Sequence, residues 1–271
     1  MKYFTIILLL IATTAACGCS DSTTSGTNSL TDELDGYVTL YDSYGNQQLD
    51  PSGVKVECEG TSFSSISDNN GYWSIKNLPS RTYSLQFSKP GYGTMKNTSY
   101  SFLGGGTVIF DGGTPMTLMQ PPSYDVSLDA VIAPSYWYDD SSKTTYFADG
   151  SLYFHLAPPP HNYHEDFGIL IVHGKNPAID IEKPETYVGI IDDSYYKELT
   201  LTDSNLSATA TLVSGKFSSY HIGETVYFRA YSFTPVNYRY PLSYYDAAAR
   251  RTVYSPYGKA SKILSGVIVS K

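Results

Sequence analysis

The feature that most restricts how this chain can fold is a series of short runs, each about as long as one strand, in which apolar and polar side chains alternate. From residue 36 onward, short alternating runs are interrupted at regular intervals by Gly, Asn, Asp or Pro. In one such run Tyr83, Leu85 and Phe87 alternate with Ser84 and Gln86. Successive side chains of a strand point to opposite faces, so this pattern is typical of a half-buried strand. No segment keeps the period of an amphipathic helix, and the sequence therefore predicts an all-β chain.

The strands fall into two groups separated by Pro121-Pro122, where two fixed φ angles and two missing N–H donors end strand pairing. The predicted strands of the first group are residues 36–41, 53–58, 63–67, 72–76 and 83–88. Those of the second group are residues 124–132, 151–157, 168–173, 187–191, 208–213, 225–232 and 262–269. A length of 271 residues also suits two domains at roughly 150 residues each. We therefore expect two antiparallel β-sandwich domains in tandem, residues 34–121 and 122–271.

One turn in the first group carries a specific expectation. Asp68-Asn69-Asn70-Gly71 separates the third and fourth predicted strands. These residue types tolerate left-handed backbone angles, so the turn predicts a tight hairpin between residues 63–67 and 72–76.

The first residues resemble the export signal of a bacterial lipoprotein. Lys2 precedes an apolar run of about nine residues, which is too short for the roughly 20 that a spanning helix needs. Thr14-Ala15-Ala16-Cys17 then resembles a lipobox, in which small residues precede a cysteine that becomes lipidated. The resemblance implies a signal peptide over residues 1–16 and a lipid on Cys17, with Cys19 as the alternative. Residues 17–33, polar over most of their length, are expected to form a flexible tether.

The compartment and the partners follow from this resemblance and from charge. A lipid anchor implies attachment to the bacterial outer membrane, facing the periplasm or the cell surface. A formal charge of −8 and a pI near 5.0 argue against nucleic acid, whose phosphates require clustered Lys and Arg. Outside the signal region the chain has one cysteine, Cys58, on the apolar side of an alternating run. We expect its thiol to be a buried packing group.

An ordered series of short motifs carries a second resemblance. It consists of residues 36–38 (Gly-Tyr-Val), 53–56 (Gly-Val-Lys-Val), 67–73 (Ser-Asp-Asn-Asn-Gly-Tyr-Trp), 78–79 (Leu-Pro), 83–85 (Tyr-Ser-Leu) and 89–92 (Lys-Pro-Gly-Tyr). The series resembles the carboxypeptidase regulatory-like domain, which has a transthyretin-like sandwich. This implies an accessory module without catalytic residues. Residues 168–172 and 223–231 are similar to the third and sixth strands of fibronectin-type-III or immunoglobulin-like domains of bacterial surface proteins.

Catalytic and metal-binding motifs are missing from the sequence. It has neither a G-x-S-x-G elbow nor an HExxH or paired CxxC motif, and its three consecutive glycines, residues 104–106, lack a strand-to-helix setting. The carboxylate pairs at 139–140 and 192–193 are expected to be surface turns, because strand neighbours point to opposite faces. His161, His164 and Glu165 are the best metal candidates, but the favoured interpretation of these residues is a solvated loop between strands. The sequence thus predicts no enzyme, no metal and no cofactor.

Two aromatic clusters are the best candidates for ligand contacts. Their residues are Trp137, Tyr138, Tyr238, Tyr240, Tyr244 and Tyr245. Flat rings beside hydrogen-bonding groups suit the face of a sugar, but such rings also cap cores and fill contacts between domains.

Three functional hypotheses follow. The first is a non-catalytic lipoprotein with an adhesion, assembly or accessory role, bound to another surface protein. The second is a glycan-binding surface lipoprotein that feeds a polysaccharide uptake system. The third is a metal-dependent enzyme built on residues 161–166.

Overall fold

The protein is almost entirely β-structure over the residues that its structure, a computed structural model, describes. These are residues 32–158, 168–183, 187–191, 196–201, 206–212, 217, 219–234 and 242–270. They contain twenty-one strands and a 3-10 turn at Phe110–Gly113. The predicted all-β fold with sandwiches in tandem is therefore confirmed. None of the helices in these ranges has the length and apolar character needed to cross a bilayer.

The first sandwich is formed by eight strands in two sheets. They are β1 (Glu33–Tyr41), β2 (Lys55–Cys58), β3 (Ser64–Ile66), β4 (Tyr72–Lys76), β5 (Arg81–Ser88), β6 (Met95–Phe102), β7 (Thr107–Ile109) and β8 (Met116–Met119). One sheet has the order β4-β1-β7, with β8 also paired to β1, and the other has the order β3-β2-β5-β6. The partners of β1 differ from the antiparallel expectation, since β7 and β8 both run parallel to it.

The hairpin predicted around residues 68–71 is wrong in its pairing, although its turn is present. Asp68 accepts hydrogen bonds from Asn70 N and Tyr72 N through its carboxylate, at 2.9 Å each. The flanking strands nevertheless separate, because β3 pairs with β2 while β4 pairs with β1 in the opposite sheet. Ser67, just before the turn, is held by bonds to Val54 N and Pro51 O, which keep this end of β3 beside β2.

Aromatic rings fill the core of the first sandwich. Phe87 has no exposed surface and lies 5.8 Å from the Trp73 ring and 5.6 Å from the Phe110 ring, measured between centroids. Gly36 faces Trp73 so closely that a Cβ atom at this position would overlap the indole. The buried position predicted for Cys58 is confirmed, and burial raises the pKa of its thiol to about 11.

The second sandwich contains the remaining strands. They are β9 (Asp125–Ile132), β10 (Ser135–Asp139), β11 (Thr144–Ala148), β12 (Gly150–Ala157), β13 (Gly168–Gly174), β14 (Tyr187–Ile191), β15 (Tyr196–Leu201), β16 (Leu206–Leu212), β17 (Thr225–Phe233), β18 (Ser243–Asp246), β19 (Arg251–Tyr254), β20 (Leu264–Val267) and β21 (Val269–Ser270). Two sheets, β15-β16-β12-β9 and β14-β13-β17-β20, enclose the main core. Strands β10, β11 and β21 form a small third sheet.

A further layer covers the outer face of β13 and β17. Every residue of β13 is buried, so both of its faces are covered. Leu170 and Val172 belong to an outer apolar cluster that also includes Ile179, Ile181 and Tyr231. Two segments supply this cover, and we name them strap A (residues 175–183) and strap B (residues 255–263). The space between the straps is the site described below.

The β18–β19 hairpin of the second sandwich reaches the first. Tyr244 packs against the core of the first sandwich, and Thr98 on β6 donates a hydrogen bond of 3.0 Å to Tyr245 O. A Cβ atom at Gly93 would come within 2.6 Å of Pro256 N, so the two backbone segments approach closely there. These contacts join the sandwiches along a face that includes β6. The division of the chain at residue 121 stays a prediction.

Candidate functional site

An open cleft lies between strap A and strap B on the outer face of the second sandwich. Its volume is about 640 Å³. Tyr231, on β17, is buried at its base with an exposed fraction of 2%. The ring of Tyr257 on strap B meets the Tyr231 ring edge-on, with centroids 5.3 Å apart and planes at 77°. The cleft is lined by Asp180, Glu182, Lys183, Tyr231, Tyr257, Gly258, Lys259 and Ala260. Aromatic surface therefore adjoins charged hydrogen-bonding groups.

Arg229 fixes the two straps relative to the sheet. Its guanidinium donates to Asp180 Oδ2 at 2.8 Å and to Ile179 O at 3.3 Å on strap A. Its Nε donates to Ser261 O at 3.3 Å on strap B. Arg229 alternates along β17 with the inward-facing Phe228 and Ala230, which places it on the outer face. One side chain thus ties the sheet to both walls of the cleft.

A tyrosine–carboxylate hydrogen bond links the straps directly. Tyr257 Oη donates to Glu182 Oε1 at 2.7 Å. Burial and then the neighbouring Glu182 carboxylate raise the pKa of Tyr257 well above its usual range. Burial also raises the pKa of Tyr231, whose hydroxyl accepts a bond from Ile181 N at 3.2 Å. Both phenols therefore stay protonated at neutral pH, and the cleft is held in shape before any ligand arrives.

A smaller groove adjoins the cleft. Its volume is about 260 Å³, and it lies against the outer face of β9 and β12. Its lining residues are Asp125, Val126, Ser127, His155, Ala157, Lys259, Ala260, Ser261 and Lys262. Lys259 and Ala260 line both cavities.

His155 in this groove is oriented by Asp129. The two carboxylate oxygens lie 2.9 and 3.1 Å from His155 Nδ1. The register of β9 and β12 shifts between Tyr153 and Phe154, which leaves Asp129 without a cross-strand partner. Bulges of this kind redirect a side chain, and here the redirected Asp129 carboxylate accepts a hydrogen bond from the His155 imidazole.

The aromatic residues predicted as ligand contacts are distributed over separate elements. Tyr244 and Tyr245 lie together on β18, whereas Trp137 lies on β10 in another sheet. Tyr244 packs against the first sandwich, which agrees with the alternative of a contact between domains, and Tyr245 is 56% exposed. Tyr238, Tyr240 and the side chain of Tyr138 lie outside the described residues. Ligand binding by this set stays a prediction.

The other predicted site residues fall outside the part of the chain that the structure describes. His161, His164 and Glu165 lie outside the described residues, as do Cys17 and Cys19. Within the described ranges no group of three or more His, Cys, Asp or Glu side chains could hold a metal ion.

The glycine run and the acidic pair at 139–140 have local roles. Gly105 N and Gly106 N donate to Asp32 Oδ1 at 2.9 and 3.1 Å, so the chain's own carboxylate occupies these donors. Asp139 is the last residue of β10 and Asp140 begins the turn that follows, so the predicted turn holds for Asp140 only. Hydrogen bonds from Ser141 and Ser142 lower the pKa of Asp139 to about 2. The pair at 192–193 lies outside the described residues.

Sequence reasoning missed Arg229, Tyr231 and Tyr257 as site residues. A usable signal existed on β17, where large side chains occupy both faces and therefore indicate that both faces are covered. The straps carry no such signal, because neither keeps a strand or helix period.

Comparison with known proteins identifies no family. No family description and no curated protein matches the chain. Among solved structures, a cohesin–X-dockerin complex of Acetivibrio cellulolyticus is 23% identical over 32% of this chain, with a TM-score of 0.27. This chain spans 56% and 58% of the lengths of the first two structures it matches, which are two such complexes.

Two Bacteroides structures match over more of the chain. A protein of Bacteroides uniformis to which carbohydrate binding is provisionally ascribed is 11% identical, with 87% of this chain and 98% of that one covered and a TM-score of 0.24. A DUF3823 family protein of Bacteroides ovatus is 11% identical, with 88% and 99% covered and a TM-score of 0.24. At these TM-scores and identities the similarities assign neither a family nor a ligand.

Proposed function

We propose that this protein is a non-catalytic saccharide-binding lipoprotein that holds a segment of a polysaccharide in the cleft between strap A and strap B. One observation carries the proposal: an open cleft of about 640 Å³ combines aromatic surface with charged hydrogen-bonding groups on straps that the protein itself holds in place. A concave site with convergent polar groups is the general form of a small-ligand site.

The chemistry of the cleft suits a sugar. A pyranose presents C–H groups on its faces and hydroxyls at its edge, and each hydroxyl both donates and accepts. The Tyr257 ring offers an apolar surface, the carboxylates of Asp180 and Glu182 accept, and the ammonium groups of Lys183 and Lys259 donate. Because Arg229 and Tyr257 already fix the two carboxylates, binding loses little side-chain entropy.

Binding without conversion is supported by what these carboxylates do. Hydrolysis of a glycosidic bond uses two carboxyl groups that flank the bond, one of them as a proton donor. Here Asp180 accepts from Arg229 and Glu182 accepts from the Tyr257 hydroxyl, so each serves to hold the straps. We infer that they contact ligand hydroxyls as acceptors and transfer no proton.

The anchor and the module identities complete the proposal. We propose lipidation at Cys17, or at Cys19 as the alternative, and attachment to the bacterial outer membrane on its periplasmic or surface side. Residues 34–121 would act as a carboxypeptidase regulatory-like accessory module and residues 122–271 as a fibronectin-type-III or immunoglobulin-like module. Such a protein would present glycan to an uptake system. An adhesion or assembly role through another surface protein stays a prediction from the sequence.

Glycan-array screening of the purified protein, followed by calorimetry on the ligands found, tests this function. We expect Tyr257→Ala to weaken binding about tenfold to a hundredfold, because a lost aromatic contact and hydrogen bond cost about 1–3 kcal/mol. Tyr245→Ala is the matched control, since Tyr245 is also an accessible tyrosine but lies on the β18–β19 hairpin.

Three outcomes separate the possibilities. Loss of affinity in Tyr257→Ala alone, with the melting temperature maintained, supports the cleft. Loss in Tyr245→Ala alone moves the site to the aromatic cluster predicted from the sequence. Absence of binding to every glycan refutes the proposed function.

A further inference from the structure

We propose that the cleft and the adjoining groove form one extended site, and that its ligand is an acidic oligosaccharide whose carboxylate groups bind Lys259 and Lys262. This inference rests on the proposed function and specifies its ligand class. It follows from the continuity of the two cavities, from two lining lysines that no described carboxylate engages, and from the orientation of His155.

Strap B connects the two cavities. Lys259 and Ala260 line the cleft on one side and the groove on the other, while Lys262 lines the groove alone. A linear chain seated against Tyr257 can therefore leave the cleft across Lys259 and enter the groove next to His155. Lys259 occupies the crossing point, where every ligand long enough to fill both cavities must pass it.

The carboxylates and the lysines of the site differ in whether they are bonded to other protein groups. Most of its carboxylates are bonded within the protein: Asp180 to Arg229, Glu182 to Tyr257 and Asp129 to His155. Lys259 and Lys262, both exposed, form no ion pair or side-chain hydrogen bond with any residue that the structure describes.

Asp125 is the one carboxylate of the groove lining. Within the described part of the chain, it too forms no ion pair and no side-chain hydrogen bond. Lys259 and Lys262 are thus lining cations that no carboxylate in the described part of the chain engages. Each ammonium group can therefore pair with a carboxylate of the ligand.

His155 is prepared to contact the same ligand. A carboxylate can only accept hydrogen bonds, so Nδ1 carries the proton that binds Asp129. This bond fixes the orientation of the imidazole, and Nε2 is the second polar atom of the ring. In its neutral form Nε2 accepts a hydrogen bond from a sugar hydroxyl, and both His155 and Lys259 line the groove. His155 therefore serves the groove end of the ligand, and Asp129 is its positioning residue.

Calorimetry with a matched pair of ligands tests the inference on the full chain. The probes are an oligogalacturonate tetramer and the same tetramer with its carboxylates methyl-esterified, which differ in charge but not in sugar. We expect the acid to bind about tenfold more tightly than the ester, which is about 1.4 kcal/mol, because two partly solvated ion pairs add their contributions. Added salt should reduce this preference.

Variants locate the charge contact. Lys259→Ala should remove most of the preference for the acid, and Lys259→Arg should retain it. Lys76→Ala, an exposed lysine of the first sandwich, is the matched control and should bind like the wild type. His155→Ala should weaken binding of the tetramer more than binding of a single galacturonate, because only the longer ligand reaches the groove.

The inference and the proposed function fail differently. Equal affinity for acid and ester, or a preference for the acid that survives Lys259→Ala together with Lys262→Ala, overturns the inference. If neutral sugars still bind and still require Tyr257, the proposed function stands without it. If neither the acid nor the ester nor any other glycan binds, the proposed function fails as well.

Discussion

Acid should destabilise the second sandwich through a single imidazole, that of His173 on β13. This side chain is 6% exposed, its ring lies 4.6 Å from the ring of Phe217, and its Nδ1 lies 3.0 Å from Tyr220 Oη. Burial lowers its pKa from 6.5 to about 4, because the charged form loses its hydration. The folded protein therefore keeps His173 neutral in a pH range where the unfolded chain protonates it.

The sign and the size of the effect follow from linkage. The unfolded state binds more protons than the folded state between pH 6.5 and about pH 4, so the free energy of unfolding falls as the pH falls through this window. Each pH unit in the window costs about 1.4 kcal/mol. The full interval therefore costs about 3 kcal/mol, a large part of the stability of an ordinary domain.

Urea denaturation at a series of pH values, with His173→Gln and His173→Phe as comparison proteins, measures this effect. Both variants lack the titrating imidazole, and glutamine retains a hydrogen-bonding partner for Tyr220. We expect the stability of the wild type relative to each variant to fall by about 2–3 kcal/mol between about pH 7 and about pH 4.5. The constant cost of each substitution cancels from this difference. Parallel pH profiles for the wild type and both variants would refute the assignment.

Three other predictions concern the two sandwiches. Phe87→Ala should lower the free energy of unfolding, measured by urea denaturation, by about 3–5 kcal/mol, because it leaves a cavity between Trp73 and Phe110. A loss below about 1 kcal/mol would contradict the packing described. Cys58 should resist alkylation in the native protein at about pH 8 and react after denaturation, since burial raises its pKa to about 11, and rapid native labelling would contradict its burial. Arg229→Met should destabilise the protein by about 1–3 kcal/mol and also weaken saccharide binding, because strap A and strap B lose the donor that they share. Unchanged affinity for saccharide would show that the straps do not form the binding site.

The sequence predicts those strands in which apolar side chains point into the core and polar side chains point out of it. Tyr83, Leu85 and Phe87 are all buried on β5, as their alternation predicts. The hairpins β10–β11 and β18–β19 were missed because tyrosine dominates them, and an amphipathic ring fits either face of a strand. The pairing of β3 and β4 was wrong because a tight turn fixes the local backbone and not the sheet that each strand joins.

The candidate site was beyond sequence reasoning for a related reason. Arg229 and Tyr231 come from β17, whereas Asp180 and Tyr257 come from irregular segments about 50 and 26 residues away along the chain. Their meeting depends on how strap A and strap B cross the outer face of the sheet. A period of two or 3.6 residues carries no information about such a crossing.

The place of β1 has a mechanical consequence for a protein held by its first residues. This strand directly follows the stretch that would lead to a lipid, and it is bonded along one side to β4 and along the other to β7 and then β8. A pull on the amino-terminal end acts along the strand, so the ladders on both sides bear the load together and do not open one bond at a time. Under the proposed lipid attachment, a pull transmitted through a bound polymer would load β1 in shear along both of its ladders.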